Sequence, residues 1–258
     1  MIEFYKYQGT GNDFVMIDNR QNTFLKDTKQ IAQLCDRRFG IGGDGLILLE
    51  NDNDTDFRMV YYNSDGNLGS MCGNGGRCIV AFAKKLGIIK DQTTFMATDG
   101  KHFASIEGEQ ISLRMNDVHE IKVGDNYTFL NTGSPHHIIL VEDLESIDVK
   151  KEGAKIRYSE LYAKEGSNIN FVARLAENSF AVRTYERGVE DETLSCGTGA
   201  TAVAIAMHHQ GNTTANEISM KVLGGNLKVS FDKNEKYSNV NLIGTANFVF
   251  KGSIDLKQ

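Results

Sequence analysis

The chain carries one short signature twice. Ser70-Met71-Cys72-Gly73-Asn74-Gly75 opens an apolar stretch that closes at Gly87, and Leu194-Ser195-Cys196-Gly197-Thr198-Gly199 opens another that closes at Gly211. The interval from cysteine to closing glycine is the same in both, and the second copy follows the first by almost half of the 258 residues. A cysteine and two glycines at the start of an apolar helix, once per half, point to a duplicated fold with two like thiols in equivalent places. Such a pair suits chemistry that needs like groups on opposite faces of one atom.

A chain of this length with 40% hydrophobic residues can bury two cores, and the repeat favours two domains. The formal net charge is -6, and no basic run is longer than Arg37-Arg38 or Lys84-Lys85. That is no electrostatic footprint for nucleic acid. The opening Met1-Ile2-Glu3-Phe4-Tyr5-Lys6-Tyr7 has neither the basic nor the apolar region of a signal peptide, and no apolar run approaches the roughly 20 residues of a membrane span. A cytoplasmic protein with no membrane partner is the expectation. The four cysteines, Cys35, Cys72, Cys78 and Cys196, are too few for a disulfide framework in a chain this long and are read as free thiols.

Strand-length β-branched or aromatic runs dominate. In the first half they are Ile2 to Tyr7, Phe14 to Asp18, Leu46 to Leu49, Phe57 to Tyr62, Thr93 to Ala97, His102 to Ile106 and Ile111 to Met115. The second half has Ile138 to Val141, Asn168 to Arg174, Phe180 to Tyr185, Ser219 to Val222, Leu227 to Phe231, Val240 to Leu242 and Phe248 to Phe250. Helices are expected at Lys29 to Arg38 and after each signature cysteine. Many hairpins around one central helix per half describe an α+β fold built twice.

A helix N-terminus carries unpaired N–H groups and a positive partial charge, so it favours both a thiolate and a bound carboxylate. The dipole contributes roughly 0.3 to 1 kcal/mol, against about 1.36 kcal/mol per pKa unit. It shifts a thiol by less than one unit, so further thiolate character needs neighbours or substrate. Cys35, on an apolar helical face, and Cys78, within the first signature helix, are read as packing residues. Gly40-Ile41-Gly42-Gly43-Asp44-Gly45 spells a dinucleotide fingerprint but follows a helix and precedes a strand, the reverse of the required order, and is read as a loop. Asp52, Asp54 and Asp56 alternate as in a calcium loop, but Phe57 stands where glycine is needed. The adjacent pairs His136-His137 and His208-His209 lack metal-ligand spacing, and no metal site is expected.

Seven motifs occur in order: Gly9-Thr10-Gly11-Asn12-Asp13-Phe14, Asn63-Ser64-Asp65-Gly66, Cys72-Gly73-Asn74-Gly75-Gly76-Arg77-Cys78, Gly133-Ser134-Pro135-His136, Asn168-Ile169-Asn170-Phe171, Glu186-Arg187-Gly188 and Cys196-Gly197-Thr198-Gly199. On these the chain resembles the diaminopimelate epimerases over nearly its full length. The resemblance implies two pseudo-symmetric halves, each a mostly antiparallel sheet wrapped around a central helix, with the active site between them. The turn at Asn116-Asp117 ends the first half, and the resemblance returns the last strand to it, so the halves are residues 1–117 with 247–258, and 118–246. The resemblance also implies interconversion of LL- and meso-diaminopimelate without pyridoxal phosphate, metal or other cofactor, on the route to lysine and peptidoglycan, by a homodimer.

Carried over by residue, the resemblance makes Cys72 and Cys196 the acid/base pair, with His136 and Glu186 orienting or tuning the thiols. Inverting a carbon centre by proton transfer needs a base on one face and an acid on the other, which a thiolate and a thiol supply. Asn12, Asn63 and Asn168 become substrate-holding amides, and Glu186 and Arg187 partners for the ammonium and carboxylate groups. The N–H groups of Gly73, Asn74, Gly197 and Thr198 would cradle the α-carboxylate. Two positions depart from the family: Ser134, where asparagine is frequent, and Gly45, where glutamine is frequent. Glu186, Glu190, Asp191 and Glu192 closely precede Cys196, while Asp65 and Arg77 flank Cys72, which leads to the expectation that Cys72 holds more thiolate and Cys196 more thiol at rest. A proline- or hydroxyproline-type racemase, a thiol-redox protein and a carboxylate-binding protein are the competing readings.

Overall fold

The computed structural model describes residues 1–162 and 164–255. Residues 256–258, the end of the first expected domain, lie outside the described residues. The chain divides into two compact units, Met1–Leu113 with Gly244–Gln258, and Arg114–Ile243. Among the described residues no helix is long and apolar enough to cross a membrane.

The first unit comprises β1 (Ile2–Gly9), β2 (Asn12–Asp18), α1 (Thr28–Cys35), β3 (Gly45–Glu50), β4 (Phe57–Asn63), α2 (Gly73–Lys85), β5 (Gln92–Ala97), β6 (Gly100–Glu107), β7 (Gln110–Arg114) and, from the far end of the chain, β17 (Asn247–Ile254). Its sheet runs β17-β1-β2-β3-β4-β5-β6-β7, antiparallel except where β2 meets β3 and β4 meets β5. The two parallel joints are those bridged by α1 and α2, since parallel neighbours need a crossover that a hairpin cannot supply.

The second unit repeats this plan. It comprises β8 (Ile121–Val123), β9 (Thr128–Asn131), β10 (Pro135–Leu140), α3 (Val149–Arg157), β11 (Asn168–Ala176), β12 (Ser179–Glu186), β13 (Asp191–Thr193), α4 (Gly197–His209), β14 (Glu217–Val222), β15 (Gly225–Lys233) and β16 (Tyr237–Thr245). Its order is β8-β9-β10-β11-β12-β14-β15-β16, with parallel joints only at β10–β11, across α3, and β12–β14, across α4. β13 adds a short antiparallel flap on β12. Strand for strand and helix for helix, the two units share one topology, an α+β fold.

The strands flanking the first crossover, β2 and β3, are buried on both faces. Along β2 and β3, Val15, Ile17, Leu46 and Leu48 pack with Ile31 and Leu34 of α1, while Phe14, Ile47 and Met59 come up against Gly75 of α2. Alternate residues of one strand therefore serve two helices, which is why the runs read as continuously apolar. α4 goes further. Ten of its residues are buried, and it touches β9, β10, β11, β12, β14 and β15, so the sheet wraps it.

Two helices differ from expectation. α1 stops at Cys35 rather than Arg38, because Asp36 adopts an extended backbone and its carboxylate accepts the N–H groups of Arg38 and Phe39 at 2.7 Å. α3 is absent from the periodicity reading, and its Gly153 explains why. A Cβ there would lie 2.4 Å from the Cβ of Tyr185 in β12, so close packing demands glycine, a residue that weakens a helical pattern. Gly153→Ala is expected to lose about 1–3 kcal/mol through overpacking, offset by up to about 1 kcal/mol of helix propensity. Urea unfolding measures the balance, and a more stable variant would show that α3 can move off the strand.

Candidate active site

Cys72 and Cys196 occupy the same place in their two units: each is the N-cap of the central helix, in extended backbone (φ -111° and -118°), and neither thiol caps its own helix. The first helical bonds are Gly76 N–H to the Cys72 carbonyl at 2.7 Å and Ala200 N–H to that of Cys196 at 2.9 Å. The N–H groups of residues 73–75 and 197–199 precede those bonds and have no partner within the helix. Both thiols are half-buried, whereas Cys35 and Cys78 are buried. Burial pushes each of those two thiols up to about 12, so neither ionises near neutral pH.

In the first unit, Asn12 begins β2 beside the Cys72 sulfur. Its Oδ1 accepts from that thiol at 3.6 Å and from Nδ2 of Asn74 at 3.3 Å. The amide is held from its other end, where Nδ2 donates to Asp44 at 2.6 Å. Asp44 and Asp13 are both bound by Arg37, at 2.8 and 2.6 Å, and Asp13 also by Lys6 at 2.8 Å. Burial pushes the Asp13 carboxyl up, but the hydrogen bonds from Arg37 and Lys6 outweigh it and hold the group at about 2. The glycine-rich loop of residues 40–45 thus serves as an anchor for Asn12. Arg77, fully buried, donates to Asn74 Oδ1 at 3.0 Å. Asn63, at the end of β4, is exposed.

At Gly45 a Cβ would meet the Tyr61 ring and the Tyr62 carbonyl at 2.5 Å. The space a longer side chain would need is filled by Tyr61.

In the second unit, β10 carries His136 and His137 to opposite faces, as the pleat requires. His137 stacks on Tyr127 and bonds the Tyr162 hydroxyl at 2.5 Å. His136 points to α4, with Nε2 3.0 Å from the Thr198 hydroxyl, and that hydroxyl lies 3.4 Å from the Cys196 sulfur. Burial, with a smaller push from the Arg187 charge, lowers His136 to about 3. It is a neutral imidazole at physiological pH.

Asn168 is buried and committed to the protein. Its two amide protons go to the Ser134 hydroxyl and the Pro135 carbonyl, both at 2.9 Å, and its oxygen accepts the Arg187 N–H at 2.9 Å. The Arg187 guanidinium also reaches the Glu165 carbonyl at 3.0 Å. Glu186 closes β12, half-buried, one residue before it.

The acidic run before Cys196 is compensated. Arg157 pairs with Glu190 at 3.4 Å, Lys150 with Asp191 at 2.5 Å and Arg183 with Glu192 at 2.7 Å. The charge imbalance that sequence proximity suggests is therefore largely cancelled by partners distant in the chain. Among the described residues no group of three or more histidine, cysteine or carboxylate side chains is gathered as for a metal ion.

The sequence matches diaminopimelate epimerase over residues 4–119 and 128–249. The chain belongs to the diaminopimelate epimerase family. It is 63% identical over 256 residues to the diaminopimelate epimerase of Flavobacterium psychrophilum, covering 98% of this chain and all of that one. Its fold is shared with the Bacillus anthracis phenazine biosynthesis protein of the PhzF family (TM-score 0.80, 15% identity, 99% of each chain). A probable proline racemase from Agrobacterium radiobacter also shares it (TM-score 0.71, 14% identity, 100% of this chain and 94% of that one).

His136 gives the site a pH signature in stability. Its folded value, about 3, lies below the ordinary 6.5, so the fold favours the neutral ring. That stability is fully present above about pH 6.5 and is lost progressively as pH falls toward 3. His136→Gln is expected to flatten the dependence of unfolding free energy on pH across this window. An unchanged slope in denaturant titrations at pH 4 to 7 would contradict the burial of an uncharged ring.

Proposed function

We propose that the protein interconverts LL- and meso-2,6-diaminopimelate by moving the proton at one Cα, with Cys72 and Cys196 as the acid/base pair. The observation that carries this reading is the repeated cysteine N-cap. Each unit offers one half-buried thiol beside helical N–H groups that its own side chain does not cap. In a family whose members are named for this epimerisation, two such thiols meet the chemical need. One, as thiolate, takes the Cα proton, and the other, as thiol, returns a proton to the opposite face. Reversal only exchanges their protonation.

As the proton leaves, charge builds on the α-carboxylate. In this reading the N–H groups of Gly73, Asn74, Gly197 and Thr198, at the positive ends of α2 and α4, bind it. Asn12 and Asn63 hold polar groups of the substrate. The amide protons of Asn168 are taken by Ser134 and Pro135, so its part is to hold Arg187 through the backbone. Arg187 receives a carboxylate and Glu186 an ammonium group. Neutral His136 tunes Cys196 through Thr198. The acid/base work rests on thiols and calls on no cofactor. The same reading makes the protein a cytoplasmic homodimer in lysine and peptidoglycan precursor synthesis. A proline- or hydroxyproline-type racemase shares the fold, but the family match favours diaminopimelate.

Proton NMR of LL-diaminopimelate with the reduced protein in deuterium oxide tests the proposal. Loss of the Cα proton signal together with appearance of the meso isomer is expected, and L-proline should not exchange. Cys72→Ala and Cys196→Ala should each lower turnover by roughly 10²–10⁴-fold. Full activity in either variant would overturn the two-thiol scheme.

A further inference from the structure

The geometry points to Asn170 as a positioning residue for Cys196: its side-chain amide fixes the tautomer of His136, leaving the Thr198 hydroxyl free to donate to the Cys196 sulfur. Its consequence for turnover rests on the function proposed above.

Asn170 sits in β11 with no exposed surface. One end of its side chain lies 3.1 Å from the His137 carbonyl, which only accepts, so that end is the NH2 group. The other end, Oδ1, accepts from the Thr184 hydroxyl at 3.0 Å. With the amide so oriented, Nδ2 also stands 3.2 Å from His136 Nδ1, which must therefore accept and carries no proton. Arg187 is the charged group that acts on His136, and it works with burial to keep the ring neutral. A neutral imidazole with a bare Nδ1 bears its proton on Nε2.

That N–H donates to Thr198 Oγ1 at 3.0 Å. The Thr198 hydroxyl, having accepted, directs its own proton to Cys196 Sγ at 3.4 Å. The chain of donors runs one way, from Asn170 to His136 to Thr198 to Cys196, and ends on a donor to sulfur, which favours the thiolate. No bond is made or broken along it.

The signature glycine makes room for this arrangement. A Cβ at Gly199 would lie 2.7 Å from Asn170 Oδ1 and 3.3 Å from the Cys196 sulfur. The second glycine of the repeat thus admits a strand-borne amide to the start of the helix.

The test uses the full-length reduced protein and needs no substrate. Ring-nitrogen shifts from ¹⁵N NMR, assigned by their loss in His136→Gln, should show the Nε2–H tautomer at neutral pH, and Asn170→Ala should mix the two tautomers. The pH midpoint of Cys196 alkylation by iodoacetamide, read by peptide mass, should rise by about one pH unit in Asn170→Ala and in Thr198→Val. That is a tenfold loss of thiolate below the midpoint. The double variant should rise no further, and Thr198→Ser should restore the original midpoint. Where circular dichroism shows Asn170→Ala unfolded, the Thr198 pair decides alone. An Nδ1–H tautomer in the unsubstituted protein, or an unmoved midpoint in Thr198→Val, would overturn the proposal. Failure to turn over diaminopimelate would instead remove the function and leave this measurement standing.

Discussion

Everything at the site depends on wrapping a helix in a sheet. A helix touched by six strands, as α4 is, must be apolar on all sides, and the residue just before its first turn is then one of the few places where a reactive group can meet solvent. Serine, threonine, aspartate or asparagine there would turn back to bond the N–H groups of the first turn. A cysteine does not, in either unit. Each thiol is instead engaged by another side chain, Cys72 by Asn12 and Cys196 by Thr198.

The shared topology shows how much sequence change this arrangement tolerates. α2 carries Arg77, Lys84 and Lys85, whereas α4 has no charged side chain before its closing histidines. The polar support behind each thiol is also built differently. Behind Cys72 stands an amide, Asn12, tied to a charged knot of Asp44, Asp13, Arg37 and Lys6. Behind Cys196 stands a neutral relay of Asn170, His136 and Thr198. A duplicated backbone has thus kept its geometry while its two copies acquired different ways of holding a thiol.

Much of this was legible in the sequence. The spaced cysteines marked the central helices, and alternating β-branched runs marked most strands, because burial on one or both faces imposes those patterns locally. What stayed hidden depends on contacts distant in the chain. α3 was masked by Gly153, whose lack of a side chain answers to Tyr185 and not to its own helix. β8, β9 and β13 are three or four residues long, too short for a period to register. The loop at residues 40–45 read as a spurious nucleotide motif, yet its Asp44 orients Asn12. Asn170 drew no notice beyond its place in a motif, since its role exists only through the carbonyl of His137 and the ring of His136.

The return of β17 to the first unit sets an order of events during synthesis. The second unit is one continuous stretch, Arg114–Ile243, whereas the first draws on both ends of the chain. β1 is bonded on one side by β2 and on the other by β17, so until residues 247–254 leave the ribosome it presents an open edge able to pair with another chain. The half that is made first is therefore finished last. Throughout the synthesis of the second unit that edge is unguarded, and only fast elongation or a chaperone keeps it from a wrong partner.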